Sequence, residues 1–121
     1  MANILVIDDD PAIRDLLTIH MEDAGHTVTH AVNGQDGIGQ AGRSHPDLII
    51  LDINMPVMDG TRVLQALRGA PETSKVPVIA LSAVGGTQMR DDMHQMGCDG
   101  FVDKPINFDV LCGKIKKLLD L

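Results

Sequence analysis

Three runs of branched apolar residues, Ile4-Leu5-Val6-Ile7, Leu48-Ile49-Ile50-Leu51 and Val76 to Leu81, carry no polar alternation. A strand covered on one face alternates apolar and polar positions, whereas a strand of a parallel sheet is covered on both faces and reads as a continuous apolar run. Shorter candidates stand at Thr27 to Ala31 and Gly100 to Asp103, and helical stretches separate all five. Five strands alternating with helices predict a parallel α/β sheet.

The first helix is legible from its apolar stripe: Ile13, Leu16, Leu17, His20, Met21 and Ala24 follow 3.6-residue periodicity. Pro11 suits the first turn, Asp10 can cap it, and Gly25 stops it. The last helix carries Phe108, Leu111, Cys112, Ile115 and Leu118 on one side, with Lys114, Lys116 and Lys117 toward the end where the macrodipole favours cations. Helix two, about Gly34 to Gly42, is poor in helix formers. Helix four is expected after Gly85-Gly86, with Met89, Met93 and Met96 forming a stripe that reads as core more than as interface.

With 121 residues, 44% of them hydrophobic, the chain can bury the core of one compact domain. The formal charge of −7 leaves no basic footprint, which argues against nucleic acid or an anionic membrane as direct partner. No apolar run approaches the roughly 20 residues of a membrane helix, and Met1 leads straight into a strand without a signal-peptide pattern. A cytoplasmic protein is expected. Cys98 and Cys112 have neither metal-ligand nor disulfide-framework spacing and read as two buried reduced thiols. The five histidines show no ligand spacing either, and His26 with His30 is expected on a strand surface.

Polar residues fall on this frame in a consistent place. Asp8 and Asp9 follow strand one, Asp52 follows strand three, Ser82 follows strand four and Lys104 follows strand five. Open α/β sheets place their ligands at the carboxyl ends of the strands, beside a topological switch point, so these residues are expected to share one cleft. Clustered carboxylates raise one another's pKa and suit a cation or a proton. Three carboxylates, an ammonium and a hydroxyl suit a hard divalent metal and the oxygens of a phosphoryl group. Asp10 has a complete structural explanation as the helix cap and is left out of the metal set.

Four segments in this order, Ile7-Asp8-Asp9-Asp10-Pro11, Leu51 to Gly60, Leu81-Ser82-Ala83 and Asp103-Lys104-Pro105, resemble the receiver domain of two-component response regulators, chemotaxis regulators included. The likeness runs over essentially the whole chain, so residues 1–121 are expected to form one receiver domain. It implies a flavodoxin-like, doubly wound sheet in strand order 2-1-3-4-5 with five flanking helices. It further implies Asp52 as phosphoacceptor, and Mg²⁺, or Mn²⁺ in its place, held by Asp8, Asp9, Asp52 and the Asn54 backbone carbonyl. Ser82 and Lys104 would bind phosphoryl oxygens, and Ser82 and Phe101 would form the switch. A cis Lys104-Pro105 bond would aim Lys104 over the cleft, while Pro56 and Gly60 read as turn and helix-start residues. The partners implied are a sensor histidine kinase or histidine phosphotransfer protein upstream and a protein effector downstream, with phosphorylation-dependent dimerisation left open.

The chain departs from the family's common pattern at Phe101, where many members have Tyr, so no phenolic hydroxyl serves the switch. Val84, two residues after Ser82, cannot orient an attacking water, which predicts a longer-lived phosphoryl group than in members with an acidic residue there. The Gly85-Gly86 pair is expected to let helix four move. No effector segment follows Leu121, so the chain reads as a stand-alone regulator or as a receiver cut from a longer protein. Two rival readings remain beside it. One is a Mg²⁺-dependent phosphatase of the haloacid-dehalogenase type, using Asp8-x-Asp10, against which stand Pro11, Ala12 and the lack of a cap domain. The other is an unphosphorylated pseudo-receiver that serves as a scaffold.

Overall fold

Ten elements alternate without exception in a computed structural model that describes residues 2–55, 58–82 and 87–120. They are β1 (Asn3–Ile7), α1 (Pro11–Asp23), β2 (Thr27–Ala31), α2 (Gly34–Ser44), β3 (Leu48–Asp52), α3 (Gly60–Gly69), β4 (Val78–Ser82), α4 (Thr87–Gln95), β5 (Gly100–Asp103) and α5 (Phe108–Leu119). Every strand pairing is parallel and the order is β2-β1-β3-β4-β5, the flavodoxin-like arrangement. The order reverses between β1 and β3, which puts the switch point at their carboxyl ends. Pro56, Val57, Ala83, Val84, Gly85 and Gly86 lie outside the described residues, as does the side chain of Met89, so the expectations placed on them are not addressed.

Strand periodicity divides the core in two. Leu5, Ile7, Ile49, Leu51, Val78 and Ala80 face a layer that includes Ala41, Val63, Leu64, Leu67 and Met93 from α2, α3 and α4. Their alternates Ile4, Val6, Leu48, Ile50, Ile79 and Leu81 face Leu17, Met21, Leu111 and Ile115 from α1 and α5. Both faces are therefore covered, which is why β3 and β4 contain no polar position before their final residues and β1 none after Asn3.

Helices α1, α2, α3 and α5 each begin where a side chain can accept from the free amides of the first turn. Asp10 accepts from the Ala12 amide, Asn33 from Asp36, Asp59 from Arg62, and Asn107 from both Asp109 and Val110. Gly25, at φ 93°, ends α1 in a conformation that favours glycine. The weak helix propensity of α2 has a packing cause: a Cβ on Gly37 would lie 2.5 Å from Ile7 Cδ1, so only glycine lets α2 approach β1 this closely.

Several details differ from the expectations above. Helix α2 runs two residues past Gly42, to Ser44. In the α1 stripe only Leu17 and Met21 are buried, while Leu16 is 45% exposed and Ala24 serves as the C-cap. His26 precedes β2 and is buried, its Nδ1 accepting from the Ala2 amide at 3.3 Å and its own amide donating to the Met21 carbonyl at 3.0 Å, which ties it to the end of α1 rather than to a strand surface. Cys98 is buried but Cys112 only half-buried. Met93 is fully buried and Met96 packs against the same cluster, so this part of the stripe is core. No helix among the described residues is long and apolar enough to cross a membrane.

Candidate functional site

Strand geometry delivers the polar residues to one edge. β1 ends at Ile7, so Asp8 is the first residue beyond the sheet and stays fully buried, its amide donating to the Ala31 carbonyl at 3.2 Å. Asp52 and Ser82 are the last residues of β3 and β4, and both are buried. Register carries the line onward: Asp52 stands opposite Leu81 and Ser82 opposite Asp103, which places Lys104 just past the edge of β5. The Lys104 amide donates to the Ser82 carbonyl at 2.8 Å, and the Lys104-Pro105 bond is cis, as expected.

At this edge Lys104 Nζ lies 3.3 Å from Asp52 Oδ1 and 3.9 Å from Asp8 Oδ2. Asp52 Oδ1 also accepts from the Asn54 amide at 3.0 Å, and Asp8 Oδ1 accepts from the Asp10 amide at 2.9 Å. Two buried polar atoms of this edge have no hydrogen-bond partner among the described residues: Asp8 Oδ2 and Ser82 Oγ. Burial is the largest influence on the Asp8 carboxyl and, with the Asp52 charge beside it, pushes its pKa up to about 6, against the opposing pull of the Asp10 amide and the Lys104 ammonium.

Asp8, Asp9 and Asp52 each offer a carboxylate oxygen, and these oxygens lie within 4.8 Å of one another. Asp9 is exposed, so the group is open to solvent on one side and closed on the other. An all-oxygen donor set with an unsatisfied buried oxygen fits a hard divalent cation better than a soft or nitrogen-seeking one. Beside it, an ammonium and an unpartnered hydroxyl are placed to receive further anionic oxygens.

Of the supporting residues, Gly60, Phe101 and Pro105 have defined places, while Pro56 lies outside the described residues. Gly60 starts α3 directly against the loop after β3, and a Cβ there would lie 2.5 Å from Ile53 Cα. Phe101 is half-buried in β5 and packs on the α2–α3–α4 side of the sheet. Pro105 is exposed after its cis bond. Three contributors were not anticipated. Arg14 Nη1 donates to the Asp8 carbonyl at 2.7 Å and secures the loop, a role suggested by a basic residue one turn past the Asp10 cap. Asp59 caps α3, and the Thr61 hydroxyl holds its carboxyl below the usual range. Arg90 of α4 pairs with Asp103 and stands over Phe101, for which the sequence spacing held no signal.

Comparison with known proteins accords with this arrangement. Residues 4–116 match the response regulator receiver domain family. The DNA-binding dual master transcriptional regulator RpaA of Synechocystis is 40% identical over 119 residues, covering 98% of this chain and 49% of the regulator. Response regulator Rre1 of the same organism is 36% identical over 118 residues, covering 97% and 51%. The chain thus spans about half the length of these curated relatives. Among solved structures, the Vibrio cholerae chemotaxis protein CheY4 superposes with a TM-score of 0.93 at 29% identity, over 98% of this chain and 99% of that one. The receiver domain of the Pseudomonas aeruginosa sensor histidine kinase PA1611, solved with a magnesium ion in its active-site cleft, gives 0.90 at 25% identity over 99% and 98%. With strand order, carboxylate edge and family match in agreement over nearly all its length, the chain belongs to the response regulator receiver domains of two-component signalling.

Proposed function

We propose that residues 1–121 act as one receiver unit that accepts a phosphoryl group on Asp52 from a phosphohistidine, on a sensor histidine kinase or a histidine phosphotransfer protein, and changes its affinity for a downstream protein. An Asp52 carboxylate oxygen attacks phosphorus, the new O–P bond forms as the N–P bond breaks, and the imidazole leaves with the bonding electrons and takes up a proton. Attacking and transferred groups are both anionic, so their repulsion is the main barrier, and Lys104 lowers it from a fixed position. Asp8, Asp9, Asp52 and the Asn54 carbonyl would hold Mg²⁺, with Mn²⁺ as substitute. The ion supplies neutralisation of the developing phosphoryl charge.

Ser82 Oγ takes one phosphoryl oxygen and Lys104 another, and Ser82 and Phe101 pass the change to the surface. Pro105, Pro56 and Gly60 support the loops that carry these groups. The domain assists its own phosphorylation and dephosphorylation and otherwise works by binding, in the cytoplasm. The observation that carries the reading is the pairing of Lys104 Nζ with Asp52 Oδ1 beside two buried polar atoms left unpartnered, Asp8 Oδ2 and Ser82 Oγ.

Intact mass after incubation with acetyl phosphate tests it, with and without Mg²⁺, on wild type and Asp52→Ala. One phosphoryl adduct that needs both Mg²⁺ and Asp52 is the expected result. No adduct even from cognate phosphohistidine leaves a scaffold, and turnover of phosphate without an adduct on Asp52 points to a phosphatase instead.

A further inference from the structure

Two connections lead from the site along β5 to α4. Lys104 meets Asp52 through its side chain and Ser82 through its amide, so its position follows the charge at the sheet edge. The residue before it, Asp103, is ion-paired with Arg90 Nη2 of α4, and the same guanidinium carbon stands 5.8 Å from the centroid of the Phe101 ring. Phe101 and Asp103 share one face of β5, while Val102 between them is buried in the opposite core cluster. One side chain of α4 therefore engages both residues that β5 turns toward it. Arg90 Nε is buried without a hydrogen-bond partner, so the guanidinium is incompletely satisfied where it sits.

We propose, resting on the receiver reading above, that Arg90 is a positioning residue that latches α4 to β5 while Asp52 is unphosphorylated, and that charging the site opens this latch. A phosphoryl dianion on Asp52 draws Lys104 Nζ and Ser82 Oγ toward its oxygens. Both residues are fastened to the end of β5, one by sequence and one by the 2.8 Å backbone bond, so the pull displaces Asp103 and Phe101 under Arg90. The pair is 34% and 65% exposed on its two sides, and exposed ion pairs and ring contacts are individually weak. The latch accordingly biases the equilibrium by about three- to tenfold rather than locking it.

The chain has two phenylalanines and neither Trp nor Tyr, which suits fluorine NMR on protein labelled with 4-fluorophenylalanine. Phe108, stacked on His20 at 3.7 Å, supplies a reference resonance away from α4 that also reports that each variant is folded. Beryllofluoride with Mg²⁺ is titrated as phosphoryl analogue into wild type, Arg90→Ala, Arg90→Lys and Asp103→Asn. The expected result is a midpoint about three- to tenfold lower in Arg90→Ala, with its free Phe101 resonance already displaced toward the charged position. Arg90→Lys is expected close to wild type and Asp103→Asn between the two. Should Arg90→Ala fail to fold, the exposed Asp103→Asn variant decides by the same midpoint. A wild-type midpoint in Arg90→Ala and Asp103→Asn, or a raised one, overturns the latch alone. A wild type that takes neither beryllofluoride nor a phosphoryl group overturns the receiver reading and the latch with it.

Discussion

A carboxyl buried as Asp8 is, with one oxygen on the Asp10 amide and the other unpartnered 3.9 Å from Lys104 Nζ, holds its proton more tightly folded than unfolded. Its folded pKa of about 6 lies above the ordinary 3.8, so between these values the folded state carries more protons. Stability from this group therefore rises as pH falls through that window and is lost again as pH climbs past 6. His26 acts in the opposite sense, since burial lowers its pKa and acid must charge it. Comparing melts of metal-free wild type and Asp8→Asn between pH 7 and pH 5 isolates the Asp8 part. The variant is expected to be more stable at pH 7 by on the order of 1–3 kcal/mol, with the difference shrinking toward pH 5. Lys104→Met removes the one cation seen beside Asp52 among the described residues. It is expected to slow phosphorylation by acetyl phosphate by roughly 10- to 100-fold, read by intact mass against time. Asp8, Asp52 and Ser82 were legible because each closes an apolar run, and Lys104 because it directly follows the last strand. Arg90 was not, since its value depends on the Asp103 carboxylate and Phe101 ring that its long side chain meets on another element, and Arg14 showed only as a basic residue one turn past the Asp10 cap.

Element by element, glycine separates helix packing from helix propensity. In α2, Gly37 sits against Ile7, and a methyl there would stand under 3 Å from three Ile7 atoms, whereas Gly42 has nothing within 4 Å. Gly37→Ala is therefore expected to destabilise by about 1–3 kcal/mol despite its better propensity, and Gly42→Ala to stabilise by about 0.5–1 kcal/mol. Urea midpoints of the two variants check the pair, and equal effects would refute the packing account. The same contrast explains what the sequence revealed of this helix: its low propensity was visible, but the reason lay in β1, thirty positions away in the chain. The three inner strands were legible to within two residues because burial on both faces makes β1 after Asn3, and β3 and β4 before their last residues, unbroken apolar runs. The α1 stripe was read too broadly, since Leu16 is 45% exposed and, of the residues in it, Leu17 and Met21 alone are buried. An apolar residue on a helix records permission to be buried, and only the neighbouring strand decides whether it is.

On the scale of the whole molecule, a formal charge of −7 meets a sheet whose carboxyl edge concentrates three carboxylates within 4.8 Å. Folding brings these together, so the metal-free fold works against their repulsion, and any cation that binds only the folded arrangement stabilises it by mass action. At ten times its dissociation constant such an ion adds about 1.4 kcal/mol, enough to raise the melting temperature of a domain this size by several degrees. Far-UV circular dichroism is the suitable probe, since the chain has no Trp or Tyr. Mg²⁺ is expected to raise the melting temperature at pH 7 well beyond NaCl of equal ionic strength, and less at pH 5, where Asp8 holds the proton that the ion must displace. The increment is expected to vanish in Asp8→Asn and Asp9→Asn. If NaCl matches Mg²⁺, screening of general surface charge accounts for the effect and the metal assignment falls. If Mg²⁺ acts equally at both pH values, the ion does not engage the buried oxygen of Asp8, and the site must be redrawn around Asp9 and Asp52 alone.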